Sequence, residues 1–173
     1  TNDPVSNGRS VAELVIGSLI MLSRRIFDAV GEMNTSVWRK SNRARFEVMN
    51  KRLGIVGLGN IGRQVAQLAQ SMGMEICFYD CAEVPREVGR AMGFALCESI
   101  EDVFRASDFV SLHVSATDNQ GRSNNGLITY EMMSAFNEGK NNKPRVLLNL
   151  ARGFVVQPEQ LLRAVQDGAV QYA

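Results

Sequence analysis

The feature that most constrains this chain is a glycine-rich turn, GLGNIG at positions 57–62, which lies between a strand-like run and a helix-like run. Gly57, Gly59 and Gly62 allow the chain to turn sharply out of the strand, a pyrophosphate to approach the backbone, and the helix to pack on the sheet. The new helix directs its free N–H groups and the positive end of its dipole at the phosphates. The pattern therefore predicts a dinucleotide site rather than a turn without a ligand.

An acidic residue closes the next predicted strand. Glu75 to Tyr79 has the character of that strand, and Asp80 ends it, close to the spacing of about 20 residues expected for a ribose-binding carboxylate. Such a carboxylate accepts charge-assisted hydrogen bonds from both ribose hydroxyls, each worth about 1.5–3 kcal/mol. Because it also repels a 2′-phosphate, Asp80 favours NAD over NADP.

The composition fits one domain of a globular protein. The chain has 173 residues, of which 45% are hydrophobic and 21% charged, and its formal net charge of +1 gives no reason to expect a nucleic-acid or membrane partner. The first residues lack the pattern of a signal peptide and do not begin with Met, so we expect a piece of a longer protein.

The cysteines indicate neither disulfides nor a metal site. Cys77, Cys81 and Cys97 have no CxxC spacing, and His113 is the only histidine. We predict no metal, and we interpret all three cysteines as small buried hydrophobes in a reducing compartment, which is typical of a cytoplasmic protein.

After the glycine turn, strand-like and helix-like runs alternate. Nearly continuous apolar strands between helices predict a doubly wound, parallel α/β sheet of the Rossmann type. We divide the chain into a leading helix with its connection, 1–50, and a Rossmann core, 51–173. The predicted strands are 53–56, 75–79, 94–96, 109–114, 145–150 and a last one from Val170; the predicted helices are 63–72, 85–92, 100–106 capped by Ser99, 129–135 capped by Thr129, and 158–167.

The first fifty residues predict one long helix followed by a loop. Ser10 and Glu13 have the spacing of a capping box at the start of an apolar-rich run that continues to Val30. The apolar stripe on such a helix leaves open whether it covers the sheet, pairs with a second copy or joins two domains. Residues 31–50 have the composition of a surface loop.

Ligands of open α/β sheets bind beyond the carboxyl ends of the strands, which directs attention to two further strand ends. Arg152 follows the strand at 145–150, where its planar guanidinium suits a substrate carboxylate; the alternative is a surface salt bridge. His113, followed by Val114, lies at another strand end, and we expect a structural or cofactor-lining role for it rather than that of a proton acceptor.

These motifs carry a resemblance to a known family. The segment SNGRSVAEL at 6–14, the GLGNIG turn with Asp80, residues 110–114 and NLARG at 149–153 resemble the D-isomer-specific 2-hydroxyacid dehydrogenases, and the likeness runs nearly from end to end. The resemblance implies a Rossmann NAD-binding domain that takes part in hydride transfer between a hydroxy acid and NAD. It also implies a homodimer or higher homo-oligomer, with the leading helix at the interface.

The resemblance implies roles for individual residues. Arg152 matches the family's substrate-binding and catalytic arginine, Asn7 matches an asparagine near the substrate, and Lys40 resembles a lysine that reaches the neighbouring subunit's active site. The residues implied to contact NAD, in addition to the three glycines, are Asn60, Ile61, Asp80, His113, Val114, Leu150, Ala151 and Arg152.

The chain also departs from the family pattern. Ser115 replaces the usual proline after His-Val, and the loop from Glu138 to Pro144 is longer than usual. The family's catalytic His, its Glu partner, an Asp that binds the carboxamide and the substrate domain correspond to sequence outside this chain. Another hydroxyacid dehydrogenase and a non-enzymatic NAD-sensing module, as in related corepressors, remain alternatives.

Overall fold

The computed structural model describes residues 6–38, 45–138 and 144–173. Its centre is a five-stranded sheet in which every strand pair is parallel and the strand order is β3-β2-β1-β4-β5. The strands are β1 Arg52–Val56, β2 Glu75–Tyr79, β3 Ala95–Leu96, β4 Phe109–Leu112 and β5 Val146–Asn149. The strand order reverses between β1 and β4, and this confirms the predicted doubly wound fold.

Helices cover both faces of the sheet. They are α1 Ser6–Ser23, α2 Ile26–Asn34, α3 Asn60–Ser71, α4 Glu83–Ala91, α5 Ile100–Ala106, α6 Tyr130–Ser134 and α7 Pro158–Gln166, with 3₁₀ turns at Ala135–Glu138 and Gly153–Val155. Within β1, Leu53 and Ile55 contribute to the core cluster under α1 and α3, whereas Val56 belongs to the cluster under α5. Both faces of the strand are therefore buried, as the apolar runs predicted.

Two predicted helix caps are present. The Ser99 hydroxyl accepts a hydrogen bond from the backbone N–H of Asp102, and the Thr129 hydroxyl accepts one from that of Met132. Each satisfies a donor in the first turn that has no partner within the helix. Both helices begin where the sequence predicted.

The prediction of a single leading helix is wrong, because the structure contains two helices, α1 and α2, in its place. The Ser23 carbonyl accepts a hydrogen bond from the backbone N–H of Phe46, 3.1 Å away, and Arg25 adopts a left-handed conformation with φ 52°. The capping box is also wrong, since Ser10 lies inside α1 and its hydroxyl donates to the Asn7 carbonyl. Residues 31–34, which we expected in a loop, belong to α2 and are helical as well.

Two smaller expectations also fail. The last residues form one parallel bridge, from Tyr172 to Val146, instead of a strand. Cys77 is buried, but Cys81 is exposed and Cys97 is only partly buried, so the three cysteines are not alike. Among the described residues, no helix is both long and apolar enough to cross a bilayer.

Candidate functional site

The three glycines of the turn meet three different surroundings. Gly57 has a φ of 92° and its N–H donates to the Tyr79 carbonyl at 2.9 Å, which joins the turn to the end of β2. A Cβ on Gly62 would overlap the Gly57 carbonyl oxygen, so this glycine allows α3 to pack against the turn. A Cβ on Gly59 would meet nothing within 4 Å. Because Gly59 directly precedes the N-terminus of α3, this open space fits a pyrophosphate.

The Asp80 carboxylate belongs to the same backbone arrangement. Its Oδ2 accepts a hydrogen bond from the Leu58 N–H at 2.7 Å, and its Oδ1 accepts one from the Ala82 N–H at 2.9 Å. A carboxylate has about four acceptor positions, so both oxygens keep a lone pair for ribose hydroxyls. The sequence predicted the ribose role but not that Asp80 also holds the glycine turn.

A cavity of about 540 Å³ opens at this edge of the sheet. Among the residues proposed from the sequence, those that line it are Gly57, Gly59, Asp80, His113 and Val114. Its volume lies in the range of about 300–1,000 Å³ that is typical of small-molecule and cofactor sites. The cavity is therefore the place where these predicted residues come together.

Sequence reasoning missed a second group of lining residues. They come from the loop after β2, the start of α5 and the segment after β4, and they are Cys81, Ala82, Ile100, Thr117, Asp118, Asn119, Arg122, Asn124 and Leu127; Ser115, which the sequence had singled out, lines the cavity as well. The signal was a polar segment rich in Asn, Gly and Asp directly after a predicted strand, where loops of α/β sheets contribute to ligand sites.

His113 contributes a neutral ring to the cavity wall. Its Nε2 lies 2.9 Å from the Ser111 hydroxyl, and burial lowers the pKa of the imidazole to about 4. The ring is therefore uncharged at neutral pH and is a weak proton acceptor there.

The end of β5 is built differently. The Asn149 side-chain oxygen accepts a hydrogen bond from the Ala151 N–H at 3.2 Å, and its amide donates to the Arg152 carbonyl at 3.0 Å. Asn149 thus shapes the turn that carries Arg152, a role that the sequence did not reveal. Arg152 is exposed, and its guanidinium donates to the Ala151 carbonyl at 2.8 Å.

The remaining proposed residues lie around this edge but do not line the cavity. Asn60, Ile61 and Gly62 form the first turn of α3, and Leu150 and Ala151 follow β5. Asn7 is in the first turn of α1, and the adjacent Gly8 packs on the side chains of Asn60 and Gln64. Lys40 lies outside the described residues.

A parallel sheet with a glycine turn at its switch point, and a carboxylate at the end of the next strand, defines a dinucleotide-binding domain. The sequence matches the family described as D-isomer specific 2-hydroxyacid dehydrogenase, NAD binding domain, over residues 16–173. The chain belongs to this family, and its cofactor is NAD.

Similar proteins extend over nearly all of this chain. D-3-phosphoglycerate dehydrogenase of Haemophilus influenzae is 38% identical over 99% of the chain, which corresponds to 39% of that protein; the enzyme of Escherichia coli K12 is 38% identical over 95% of the chain and 37% of its own length. Among solved structures, Aquifex aeolicus D-lactate dehydrogenase complexed with NAD and lactic acid has a TM-score of 0.79 and 28% identity, over 94% of this chain and 46% of that one. The chain thus spans less than half the length of these relatives.

Proposed function

We propose that this chain is the cofactor domain of a D-3-phosphoglycerate dehydrogenase, which oxidises 3-phosphoglycerate at its hydroxyl carbon in serine biosynthesis. The observation that carries the proposal is the 38% identity to D-3-phosphoglycerate dehydrogenases over nearly the whole chain. When bound, NAD would accept the hydride from that carbon. The cavity beside Gly59 and Asp80 would hold its pyrophosphate and ribose.

In this proposal Arg152 binds the substrate. β4 and β5 are adjacent, with Leu112 paired to Asn149, so the turn that carries Arg152 lies next to the strand end that carries His113. A guanidinium there would hold the substrate carboxylate in two parallel hydrogen bonds and polarise the adjoining carbon–oxygen bond. Asn7, beside the first turn of α3, and Lys40 would complete the substrate contacts. The proton acceptor would come from outside this chain.

The test is turnover by the full-length protein with NAD. We expect kcat/KM for 3-phosphoglycerate to exceed that for glycerate, lactate and formate, and the 173-residue chain alone to show almost no turnover while it retains NAD binding. Substantial turnover by the 173 residues would refute the assignment of the proton acceptor to another part of the protein. Absence of turnover with every hydroxy acid by the full-length protein would favour an NAD-sensing module instead.

A second candidate is another 2-hydroxyacid dehydrogenase. It is favoured by solved structures such as the Thermoplasma acidophilum glycerate dehydrogenase related protein, with a TM-score of 0.77 and 27% identity over 95% of this chain and 53% of that one. The same kinetic comparison separates the two candidates. A preference for an unphosphorylated acid would replace the first proposal by the second.

We further propose that the protein is a homodimer or a higher homo-oligomer, whose interface includes α2. Every residue of α2 is at least partly exposed, and its apolar side chains Ile26, Phe27, Val30 and Met33 face solvent. A groove of about 420 Å³ is lined by residues of this helix together with Arg24 and Arg45. Clustered exposed apolar side chains of this kind are typical of protein interfaces. Helix α1, in contrast, packs on α3.

Light scattering after size-exclusion chromatography tests the oligomer. We expect a dimer or larger species for the unmodified protein and a smaller species for Phe27→Glu, which places a charge on the α2 face. Val84→Glu on α4 is the control, because Val84 is also exposed, at 70%, but lies on another helix. A monomer at every concentration would contradict the proposal.

A further inference from the structure

The segment after β4 forms a prebuilt turn at the mouth of the cofactor cavity. Thr117 and Ser123 form an antiparallel bridge, and the Asp118 N–H donates to the Arg122 carbonyl at 2.8 Å. The base of the turn is held as well, because the Asn124 amide donates to the Ser115 carbonyl at 3.0 Å. This turn, residues 117–123, therefore has a defined shape independent of any ligand.

Asp118 fixes the direction of the Arg122 side chain. The carboxylate accepts hydrogen bonds from the backbone N–H groups of Gln120 and Arg122, at 2.8 and 2.9 Å, and from the Arg122 Nε at 2.7 Å. The Asp118 side chain is only 12% exposed, whereas that of Arg122 is 71% exposed. The guanidinium is thus held at its Nε, and Arg122 is one of the residues that line the cavity.

The position of the turn relates Arg122 to the adenosine half of the cofactor. Cys81, which follows Asp80, donates its thiol hydrogen to the Asn119 side-chain oxygen at 3.7 Å, so the turn contacts the loop after β2. With the ribose at Asp80 and the pyrophosphate at Gly59, as proposed above, the base would lie beyond the ribose from the pyrophosphate, on the far side of Asp80 from α3. Ile100 and Leu127 provide apolar surface in the same cavity.

We propose that Arg122, held by Asp118, stacks its guanidinium plane on the adenine of NAD and so determines affinity at the adenosine end of the cavity. A planar, weakly hydrated guanidinium stacks well on aromatic faces. Its pairing with Asp118 offsets part of the charge at this end of the cavity, so the stacked guanidinium plane matters more than net charge. The inference does not depend on which hydroxy acid the protein oxidises.

Calorimetric titration of the full-length protein with NAD, ADP and AMP tests the proposal. We expect Arg122→Ala to weaken binding of all three ligands by the same factor, about five- to tenfold, in line with the strength of a cation–π contact. Arg122→Lys should lose nearly as much, because an ammonium group retains the charge but lacks the plane. Asp118→Asn should show a smaller loss in the same ligands, since it releases Arg122 without removing it.

Arg90→Ala is the matched control. Arg90 is also an exposed arginine paired with an acidic residue, Glu83, at 3.5 Å, but it does not line the cavity. We expect it to bind all three ligands as the unmodified protein does. Three results would overturn the proposal: unchanged binding in Arg122→Ala, a loss for NAD and ADP but not AMP, which would indicate contact with the pyrophosphate, or full affinity in Arg122→Lys.

Discussion

Two regions at the carboxyl edge of the sheet, the glycine turn with Asp80 and the turn that carries Arg152, differ in how they are built. At the ends of β1 and β2, the glycine turn and Asp80 are joined by backbone hydrogen bonds, and the Cβ space at Gly62 is filled by the Gly57 carbonyl. At the end of β5, the guanidinium of the exposed Arg152 donates to the Ala151 carbonyl of its own turn, and no bond of this kind ties it to β1 or β2 within the part of the chain that the structure describes.

This difference matches the proposed roles of the two regions, since the first would bind the cofactor and the second the substrate. Binding of the cofactor's phosphates and ribose relies mainly on backbone groups and one carboxylate, all of which one Rossmann domain supplies and orients in advance. The substrate end relies on a flexible side chain whose partners come from elsewhere. Substitutions in the two regions should therefore separate cofactor binding from turnover.

Arg152 should give the largest effect. If Arg152 binds the substrate and stabilises charge in the transition state, Arg152→Ala in the full-length protein should lower kcat/KM about 100- to 1,000-fold. Its unfolding free energy should stay unchanged, because the side chain is exposed, and its NAD affinity should fall much less than kcat/KM, because Arg152 lies outside the cavity and would meet only the nicotinamide end of NAD. Steady-state kinetics and NAD titration measure both quantities. A variant with normal turnover would leave Arg152 with a surface role only.

Gly62 and Gly59 form a matched pair in the glycine turn. Gly62→Ala should destabilise the protein by about 3 kcal/mol, because the added methyl group meets a backbone oxygen that cannot move aside. Gly59→Ala should leave stability within about 0.5 kcal/mol and yet weaken NAD binding, since its methyl group occupies the open space in front of α3. Urea unfolding and calorimetry provide the measurements. The comparison breaks down if both variants lose only stability.

Asp80→Asn should lose both of the functions that the carboxylate combines. An asparagine has one acceptor oxygen in place of two, so only one of the Leu58 and Ala82 N–H groups keeps its partner, and we expect a loss of about 1 kcal/mol in stability. NAD should bind about tenfold more weakly, and the preference for NAD over NADP should shrink. Titration with both nucleotides checks this. An unchanged preference would contradict the ribose assignment.

His113 should give a smaller, pH-dependent effect. The folded-state pKa is about 4, below the value of about 6.5 for an unfolded histidine, so the unfolded state binds more protons between these values. The free energy of unfolding is therefore highest above about pH 6.5 and decreases as the pH falls towards 4. Between pH 6.5 and 5.5 the decrease should be about 1 kcal/mol. Urea unfolding of the wild type and His113→Gln measures it. Parallel pH profiles would contradict the assignment.

Much of the fold could be predicted because it depends on local patterns. Strand β2 has the predicted bounds, and the helices after Ser99 and Thr129 begin at the predicted caps. Apolar runs, caps and glycines act over a few residues, so the sequence displays them directly. The break between α1 and α2 was not predictable in this way. The Ser23 carbonyl accepts a hydrogen bond from the backbone N–H of Phe46, which is more than twenty residues away in sequence.

In the candidate site, too, the features set by local sequence were predictable and those set by contacts between distant loops were not. The sequence alone determined a parallel α/β sheet, a glycine turn between a strand and a helix, Asp80 at the next strand end and Arg152 after β5, because each depends on residue type and position relative to a strand. Only the tertiary structure decided that Asp80 holds the glycine turn, that Asn149 shapes the turn of Arg152, and that the turn at 117–123 meets Cys81 across the cavity. The physical reason is that side-chain hydrogen bonds between loops depend on distances that no local pattern specifies.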